Sequence, residues 1–315
     1  MNETIERSYA KLNLALDVLC RREDGYHELS MIMQAIDLCD IVTVRKRLTA
    51  DILISCDKPY IPTDERNIAY KAAKAFMNEL GESFGVDIDI QKNIPVGGGL
   101  AGGSANAASV LLGLNKLANL PFDHQKLSEI GKNVGADVPF CMAAQLAEGK
   151  YCALAEGIGE VLTPISPLCD VIYVLVKPKF SVSTKWVYGH LDVSKISKRP
   201  DIKQVIAGVE ACDIAQIAKN TANVLEGVTI GRYPLIEKLK NDMRSNGARL
   251  SLMSGSGSTV FGVFDDKRKA YKAFEHFEKT QGFVFIRESK NACLQGNFCA
   301  DSRVDTPRFT AECVP

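Results

Sequence analysis

The stretch Gly97-Gly98-Gly99-Leu100-Ala101-Gly102-Gly103-Ser104 has five glycines among its first seven residues and continues into the helix-favouring run Ala105-Asn106-Ala107-Ala108. Glycine adopts positive φ without strain, and it lets backbone N–H groups approach a ligand closely. A helix that begins here adds unpaired N–H groups and the positive end of its dipole. The stretch, which with its flanks we call the glycine loop (residues 95–105), therefore predicts a site for phosphate groups.

The residues on either side place the glycine loop between a strand and a helix. Before the loop, Val86, Ile88 and Ile90 alternate with polar residues, which is typical of a half-buried strand. After the loop, apolar residues recur at helical spacing as far as Leu117, and Pro121 follows the end of that helix. The sequence therefore predicts the local order strand, glycine loop, helix.

Two widespread phosphate-binding motifs do not fit this loop. Gly97, Gly99 and Gly102 satisfy the dinucleotide spacing G-x-G-x-x-G, but that motif also needs an acidic residue at the end of a second strand about 20 residues later. Asp123 lies near that distance, yet residues 120–122 before it are too short for a strand. The sequence contains no G-x-x-x-x-G-K-[ST] string either. A simple glycine-rich turn would explain one or two of the glycines, but not all five.

Further blocks of sequence accompany the loop. They are Ala-Lys-Leu-Asn-Leu-Ala-Leu at residues 10–16, Asp-Gly-Tyr-His at 24–27, Gly-Ala-Asp-Val-Pro-Phe at 135–140, Ala-Glu-Gly-Ile-Gly-Glu at 155–160 and Met-Ser-Gly-Ser-Gly at 253–257. In this order the blocks resemble the GHMP kinases, the superfamily that includes galactokinase, homoserine kinase and mevalonate kinase. The resemblance extends from about residue 8 to about residue 265.

The resemblance implies an α+β fold with two domains. Residues 1–160 would form a ribosomal-protein-S5-like ATP-binding domain, and residues 161–288 a C-terminal α/β-sandwich domain. Strand-like and helix-like patterns are mixed in both halves of the chain, which agrees with this fold class. The tail, residues 289–315, is polar and irregular, and we assign it no role.

The resemblance also implies an activity. The chain would use ATP and Mg²⁺ to phosphorylate an alcohol. The Asp-Gly-Tyr-His block favours a substrate that offers a base, 4-diphosphocytidyl-2-C-methyl-D-erythritol of the non-mevalonate route to isoprenoid precursors, phosphorylated on its 2-hydroxyl. Alternatives are a GHMP kinase for homoserine or mevalonate, a nucleotide-binding regulator without catalysis, and an oxidoreductase that uses a dinucleotide.

Two residues are predicted to perform the chemistry. By the resemblance, Asp137 orients or deprotonates the substrate hydroxyl and Lys11 supports the negative charge beside it. Strand alternation places Lys11, Asn13 and Asp17 on one face, opposite Ala10 and its apolar neighbours, so that Asn13 can bond the substrate alcohol. Asp137 would otherwise be an ordinary aspartate at a helix end, and Lys11 a lysine on the exposed face of an edge strand.

A second set of residues is predicted to hold the substrate. Tyr26 offers a stacking surface for the cytosine ring, and His27 can bond its edge. Thr184 and Tyr188 stand where the family supplies a second stacking ring, with Trp186 as the alternative. Gly255 belongs to a close-approach turn near the substrate phosphates, although a plain hairpin turn would have the same sequence.

The resemblance implies that ATP lies over the glycine loop, and that Lys92 and Asn67 stand near the adenine. The Ser104 hydroxyl would reach a phosphate or Mg²⁺. Two residues depart from the family pattern, because Ala101 replaces a glycine and Ala105 a serine. The residues predicted to wrap the phosphates are Pro95, Val96, Gly97, Gly98, Gly99, Leu100, Ala101, Gly102, Gly103, Ser104 and Ala105.

Composition limits the remaining classes of protein. The 315 residues carry zero formal net charge, so no bulk charge favours nucleic acid or a membrane surface as a partner. No run of 18 apolar residues occurs and the N-terminus does not resemble a signal peptide, so we expect a cytoplasmic protein. The sequence does not distinguish a monomer from a homodimer. The ten cysteines lack paired C-x-x-C spacing, and we expect buried free thiols and no zinc site. The basic clusters at residues 45–47 and 266–269 are expected to be solvated turns.

Overall fold

Two β-sheets organise the residues that the computed structural model describes, which are 2–82 and 84–289. The first sheet has six strands in the order β3-β4-β2-β5-β6, with β1 paired to β2. β3 and β4 are parallel and the other pairs are antiparallel. The strands are β1 (Glu3–Arg21), β2 (His27–Arg47), β3 (Ile52–Cys56), β4 (Gly85–Gln91), β5 (Cys152–Gly157) and β6 (Val161–Ile165).

Four helices pack beside this sheet and share an apolar core with β2 and β4. The predicted order of strand, glycine loop and helix is confirmed, because β4 is followed by the loop and then by a helix that begins at Gly102. That helix is almost entirely buried, which fits its run of alanine and leucine. The helices are α1 (Ile68–Leu80), α2 (Gly102–Leu117), α3 (His124–Val134) and α4 (Val138–Leu146).

The second sheet is antiparallel, in the order β10-β7-β9-β8. Every residue of β7 is buried, as expected for a central strand made almost wholly of apolar residues. Its strands are β7 (Val171–Lys177), β8 (Leu250–Met253), β9 (Val260–Phe264) and β10 (Phe283–Ser289). Its helices are α5 (Thr184–His190), α6 (Ile202–Glu210), α7 (Ile214–Asn220), α8 (Glu226–Arg232), α9 (Leu235–Ser245) and α10 (Lys267–Glu278), with a 3₁₀ turn at Val193–Lys195.

The mixture of helices and strands in both halves confirms the α+β fold class. The division at residue 160 stays a prediction. β6 pairs with β5 and so belongs to the first sheet, which favours a boundary a few residues after Ile165. The tail lies outside the described residues from position 290 onwards.

Three local expectations were wrong. Residues 45–47 end strand β2, and residues 266–269 begin helix α10, where Asp266 caps the N–H groups of Arg268 and Lys269. Short charge clusters conceal these elements because the apolar residues that define them lie elsewhere along each element. The seven described cysteines are free thiols, as expected, but only Cys141 and Cys152 are buried, and the rest are partly exposed.

Within the described part of the chain, no helix combines the length and the apolar character needed to cross a bilayer.

Candidate active site

A cavity of about 1070 Å³ lies where loops of the two sheets meet. The glycine loop and α1 form one part of its wall, and β1, β2, the loop before α4, α5 and the turn after β8 form most of the rest. It brings together nearly all the predicted site residues, although they are scattered over the chain. Those that line it are Lys11, Tyr26, His27, Asn67, Lys92, Pro95, Val96, Gly97, Gly98, Gly99, Leu100, Ala101, Gly102, Gly103, Ser104, Asp137, Thr184, Tyr188 and Gly255.

Two predicted site residues do not reach the cavity surface. Ala105 is 1% exposed and packs into the core beneath the first turn of α2. Asn13 is fully buried directly behind Lys11. Either residue can therefore affect a ligand only through the groups in front of it.

The glycine loop is fixed from behind by the second sheet. Gly97 and Gly99 have φ of 65° and 76°, and a Cβ on Gly99 would lie 2.0 Å from the carbonyl oxygen of Ser254. The Ser254 hydroxyl donates to the carbonyl of Gly99 at 3.0 Å, and Thr259 N–H donates to the carbonyl of Gly98 at 3.1 Å. This close approach explains why the loop needs glycine.

The loop ends in a helix start suited to an anion. α2 begins at Gly102, so the first N–H groups of the helix, which have no partner within it, lie at the cavity wall. Ala101 precedes the helix with φ 57° and ψ 25°, in the left-handed region. Alanine therefore occupies a conformation that glycine adopts more readily.

Beneath the helix start lies a buried ion pair. The Lys92 ammonium bonds the carboxylate of Asp40 and donates to Asn106 Oδ1 at 3.0 Å. Asp40, fully buried, also accepts from the N–H groups of Asn93 and Ile94 at 2.7 and 2.8 Å. The network joins three parts of the chain: β2, the residues between β4 and the glycine loop, and α2. It holds the Lys92 ammonium beneath Gly102.

Lys11 and Asp137 lie together at one side of the cavity. The Lys11 ammonium is 3.7 Å from Asp137 Oδ2 and donates to Asn13 Oδ1 at 2.7 Å. The Lys11 side chain is 6% exposed and that of Asp137 is 30% exposed, so the carboxylate is the accessible member of the pair. Lys11 N–H also donates to the carbonyl of Leu100, which ties β1 to the glycine loop.

Asp137 occupies the N-terminal cap position of α4 but makes no side-chain bond to that helix. Its negative charge is stabilised there by the helix dipole and by Lys11. A carboxylate that is held in place yet not engaged in capping is available to accept a proton or a hydrogen bond from a ligand.

The prediction that Asp17 shares the face of Lys11 and Asn13 is wrong. β1 shifts register between Asn13 and Ala15, leaving Leu14 without a partner on β2. Such a bulge moves the following side chains to the other face of the strand, so Leu16 lines the cavity. Asp17 instead forms an ion pair with Arg199.

An aromatic pair forms the part of the cavity expected to receive a base. The rings of His27 and Tyr188 have centroids 5.2 Å apart at a 37° tilt. Burial, and then the charge of Arg21, lower the pKa of His27. Burial, and then Asp137, raise the pKa of the Tyr188 hydroxyl. Both shifts favour the uncharged form of the ring, and Tyr26, next to His27 in sequence, is 60% exposed.

α5 presents Tyr188 to the cavity and turns Trp186 away from it. Trp186 does not line the cavity; its ring lies 4.6 Å from the guanidinium of Arg232 and 4.4 Å from His190. At the start of the helix, the Thr184 hydroxyl bonds that of Ser256 at 2.8 Å. The geometry favours Tyr188 over Trp186 as the second stacking ring.

Asn67 is engaged mainly in local structure. It caps α1 by accepting from Ala69 N–H at 3.0 Å, and its amide donates to the carbonyl of Pro62 at 2.7 Å. It therefore shapes the cavity wall near α1 rather than offering free polar groups.

Three basic side chains that our sequence reasoning did not assign also line the cavity: Arg21, Arg66 and Lys185. Arg21 and Lys185 supply positive charge suited to phosphate groups, whereas the Arg66 guanidinium is paired with Asp64. Arg66 and Lys185 stand next in sequence to Asn67 and Thr184, and this adjacency was the signal that could have found them. Among the described residues, no group of three or more His, Cys, Asp or Glu side chains could hold a metal ion.

The comparisons with known proteins agree with this architecture. Residues 67–145 match the model of the GHMP kinases N terminal domain, and residues 206–281 match that of the GHMP kinases C terminal domain. The fold and the site thus define a GHMP kinase, a class that uses ATP.

Individual relatives indicate one family within the GHMP kinases. A 4-diphosphocytidyl-2-C-methyl-D-erythritol kinase of Clostridium perfringens is 50% identical over 91% of this chain and 98% of its own length. One of Acetivibrio thermocellus is 47% identical over 90% and 98%. The chain belongs to the 4-diphosphocytidyl-2-C-methyl-D-erythritol kinase family.

Solved structures resemble the chain in the same way. A crystal structure of a 4-(cytidine 5'-diphospho)-2C-methyl-D-erythritol kinase superposes with a TM-score of 0.74 at 31% identity, covering 90% of this chain and 98% of that one. Homoserine kinase from Cytophaga hutchinsonii has a TM-score of 0.71 at 18% identity over 92% and 95%. The second likeness shows the shared fold alone.

Proposed function

We propose that this chain transfers the terminal phosphoryl group of ATP to the 2-hydroxyl of 4-diphosphocytidyl-2-C-methyl-D-erythritol, in the cytoplasm and in the non-mevalonate route to isoprenoid precursors. The observation that carries the proposal is the single cavity in which the glycine loop, the Lys11–Asp137 pair and the His27–Tyr188 rings meet. These three groups match the three parts of the reaction: nucleotide, reacting hydroxyl and cytidine.

Phosphoryl transfer needs positioning and charge stabilisation more than covalent help from protein. The glycine loop and the start of α2 hold the ATP phosphates through backbone N–H groups. Asp137 accepts the hydrogen bond of the substrate hydroxyl and orients it, or removes its proton. Lys11 neutralises the charge that develops beside it, and Asn13 keeps the Lys11 ammonium in place.

The substrate's cytidine end lies against the His27–Tyr188 pair. The neutral His27 ring offers one nitrogen as donor and the other as acceptor to the edge of cytosine. Tyr26 covers the base from the exposed side. Thr184 and Gly255 stand near the diphosphate, where Lys185 adds positive charge.

The glycine loop offers one side-chain oxygen that suits Mg²⁺. Ser104 offers a hard hydroxyl oxygen on the first turn of α2, and Mg²⁺ prefers oxygen ligands, chiefly water and nucleotide phosphates in such sites. Ser104 would hold the ion together with the phosphates. When bound, it would neutralise phosphate charge.

ADP release from Mg-ATP by the purified protein tests the proposal. Release is measured with 4-diphosphocytidyl-2-C-methyl-D-erythritol, mevalonate and homoserine in parallel. Release with the cytidyl compound alone is the expected result. Release with another alcohol would mean that the chain is a kinase with a different substrate. No release with any of the three would favour a regulator that binds nucleotide without catalysis.

Asp137→Asn tests the assigned base. The amide preserves size but accepts no proton, so we expect kcat to fall by about 10²–10⁴-fold while ATP binding, followed by calorimetry, is retained. Asp265→Asn, which alters an exposed aspartate paired with Arg249 away from the cavity, is the matched control. Unchanged turnover in Asp137→Asn would remove Asp137 from this role.

A further inference from the structure

Two thiols lie in contact outside the candidate active site. The Sγ atoms of Cys169 and Cys212 are 2.8 Å apart, although 43 positions separate them in the chain. A covalent S–S bond is about 2.05 Å long, so the contact exceeds bonding distance by less than an ångström. Neither residue lines the cavity, and both are partly exposed, so a small reagent can reach them.

The backbone on the Cys169 side is fixed by two neighbouring strands. The Leu168 N–H donates to Oε1 of Gln34 on β2 at 2.9 Å. The Leu168 carbonyl accepts from the hydroxyl of Ser289 on β10 at 2.9 Å. Cys169 is thereby held at the entry to β7, and the position of its backbone follows from the two sheets.

The Cys212 side is equally fixed, in the tight turn between α6 and α7. Cys212 has φ 52°, and its N–H donates to the carbonyl of Val209 at 3.1 Å. The next N–H, of Asp213, returns to the carbonyl of Gly208 at 2.8 Å. The two thiols are thus brought together by the fold itself, without help from a ligand.

We propose that Cys169 and Cys212 form a reversible disulfide when the folded chain meets a small-molecule disulfide such as oxidised glutathione. One cysteine thiolate attacks the oxidant, which releases one glutathione thiol and leaves a mixed disulfide. The second cysteine thiolate attacks the protein sulfur of that intermediate and displaces the second glutathione thiol. The two protein thiols are oxidised, the oxidant is reduced to two thiols, and the two protons end on glutathione.

The bond would join the α6–α7 turn to the entry of β7. Closing a loop of this length restricts the unfolded chain, so the oxidised protein should melt several degrees higher than the reduced protein. Neither the bond nor its effect on melting depends on the proposed kinase activity.

The test treats the full-length, reduced and desalted protein with oxidised glutathione under native conditions. Remaining thiols are alkylated, and non-reduced peptides are mapped by mass spectrometry. The expected result is a Cys169–Cys212 peptide pair, two hydrogens lighter than the separate peptides, which disappears with dithiothreitol. Cys56→Ser, which alters a cysteine on β3, should keep the pair, and Cys212→Ser should lose it together with the rise in melting temperature.

Three outcomes would overturn the proposal: both cysteines remain open to alkylation, either one pairs with a different cysteine, or both stop at the mixed disulfide. Wild-type protein alone distinguishes these outcomes, so the test does not depend on whether Cys212→Ser folds.

Discussion

Ala101 shows how much one backbone angle can matter in this site. It holds φ 57° at the entry to α2 and makes no side-chain cap bond. The left-handed conformation costs alanine roughly 1–2 kcal/mol in the folded chain. Glycine avoids this strain, but its greater conformational freedom in the unfolded chain lowers the free energy of unfolding by about 0.4–1 kcal/mol. We therefore expect Ala101→Gly to raise the free energy of unfolding by about 0.5–1 kcal/mol.

Urea unfolding of the two proteins at one temperature measures this difference. Ala118→Gly is the matched control, since Ala118 follows the other end of α2 with φ −90° and glycine there relieves no strain. A loss of stability in Ala101→Gly as large as in the control would mean that alanine is not strained at this position.

His27 predicts how stability depends on pH. Burial and Arg21 lower its pKa in the folded chain below the ordinary value of about 6.5. The unfolded chain then binds the proton more readily than the folded chain does. The contribution of His27 to the free energy of unfolding is therefore fully present above about pH 6.5 and is lost as the pH falls below that value. The wild type should lose stability between pH 7.5 and 5.5, and His27→Gln should lose less.

The measurement is the free energy of unfolding in urea at both pH values. His124→Gln, at the start of α3, serves as the control for replacing a histidine by glutamine. Parallel losses in wild type and His27→Gln would show that His27 titrates alike in the folded and unfolded chains.

At the scale of elements, the Lys92–Asp40 pair joins a strand, the glycine loop and α2. Asp40 is fully buried, and its Lys92 partner is 7% exposed. Removing one partner of a buried pair leaves an uncompensated charge and typically costs 3–5 kcal/mol. Asp40→Asn should therefore destabilise the chain by about 3–5 kcal/mol and raise the KM for ATP, because the ammonium beneath Gly102 loses its anchor.

Asp87→Asn is the matched comparison for Asp40→Asn. Asp87 pairs with Arg47 at 2.7 Å, but the two side chains are 41% and 26% exposed, and ion pairs open to solvent contribute only about 0–1 kcal/mol. Denaturant unfolding and ATP saturation curves of both variants check the contrast. Equal stability losses in the two variants would contradict it.

The elements around the glycine loop could be predicted because their signals are local. Alternation before the loop and helical spacing after it gave β4 and α2 with nearly correct ends. The bulge at Leu14 could not be predicted, because one extra residue leaves no hydrophobic signature, yet it moves Asp17 out of the site. The bond from Asp40 to Lys92 spans 52 positions, and no local pattern marks such a pair.

Lys11 and Asp137 illustrate the same limit within the site. Nothing in the spacing of residues 126 positions apart places them 3.7 Å from each other. Their pairing came from the family resemblance, whereas alternation in β1 alone left Lys11 open to being an ordinary exposed lysine. Their catalytic roles remain predictions.

At the scale of the whole molecule, Asn223 connects the two sheets behind the cavity. It follows α7 and is 3% exposed. Its amide donates to the carbonyls of Met253 and Gly255 at 2.8 and 2.7 Å. The backbone beside it bonds β1, where Leu16 N–H donates to the carbonyl of Ala222 at 3.0 Å. One residue thus couples β1 to the turn after β8.

That turn is shared by both predicted ligand sites. Ser254 in it bonds the glycine loop, and Ser256 bonds Thr184 at the start of α5. Asn223→Ala would leave two buried carbonyls without their donor, at about 1–3 kcal/mol each. We expect a clear loss of stability and lower kcat/KM for both ATP and the alcohol, since the turn loses its anchor to β1.

Asn220→Ala provides the control for Asn223→Ala. The amide of Asn220 donates only to the carbonyl of Gln216, within α7, so its loss should change stability little and leave both KM values alone. Steady-state kinetics with each substrate varied in turn, together with unfolding curves, separate the two variants. If Asn223→Ala affected only one substrate, the turn would serve that site alone, and the two halves of the cavity would be positioned independently.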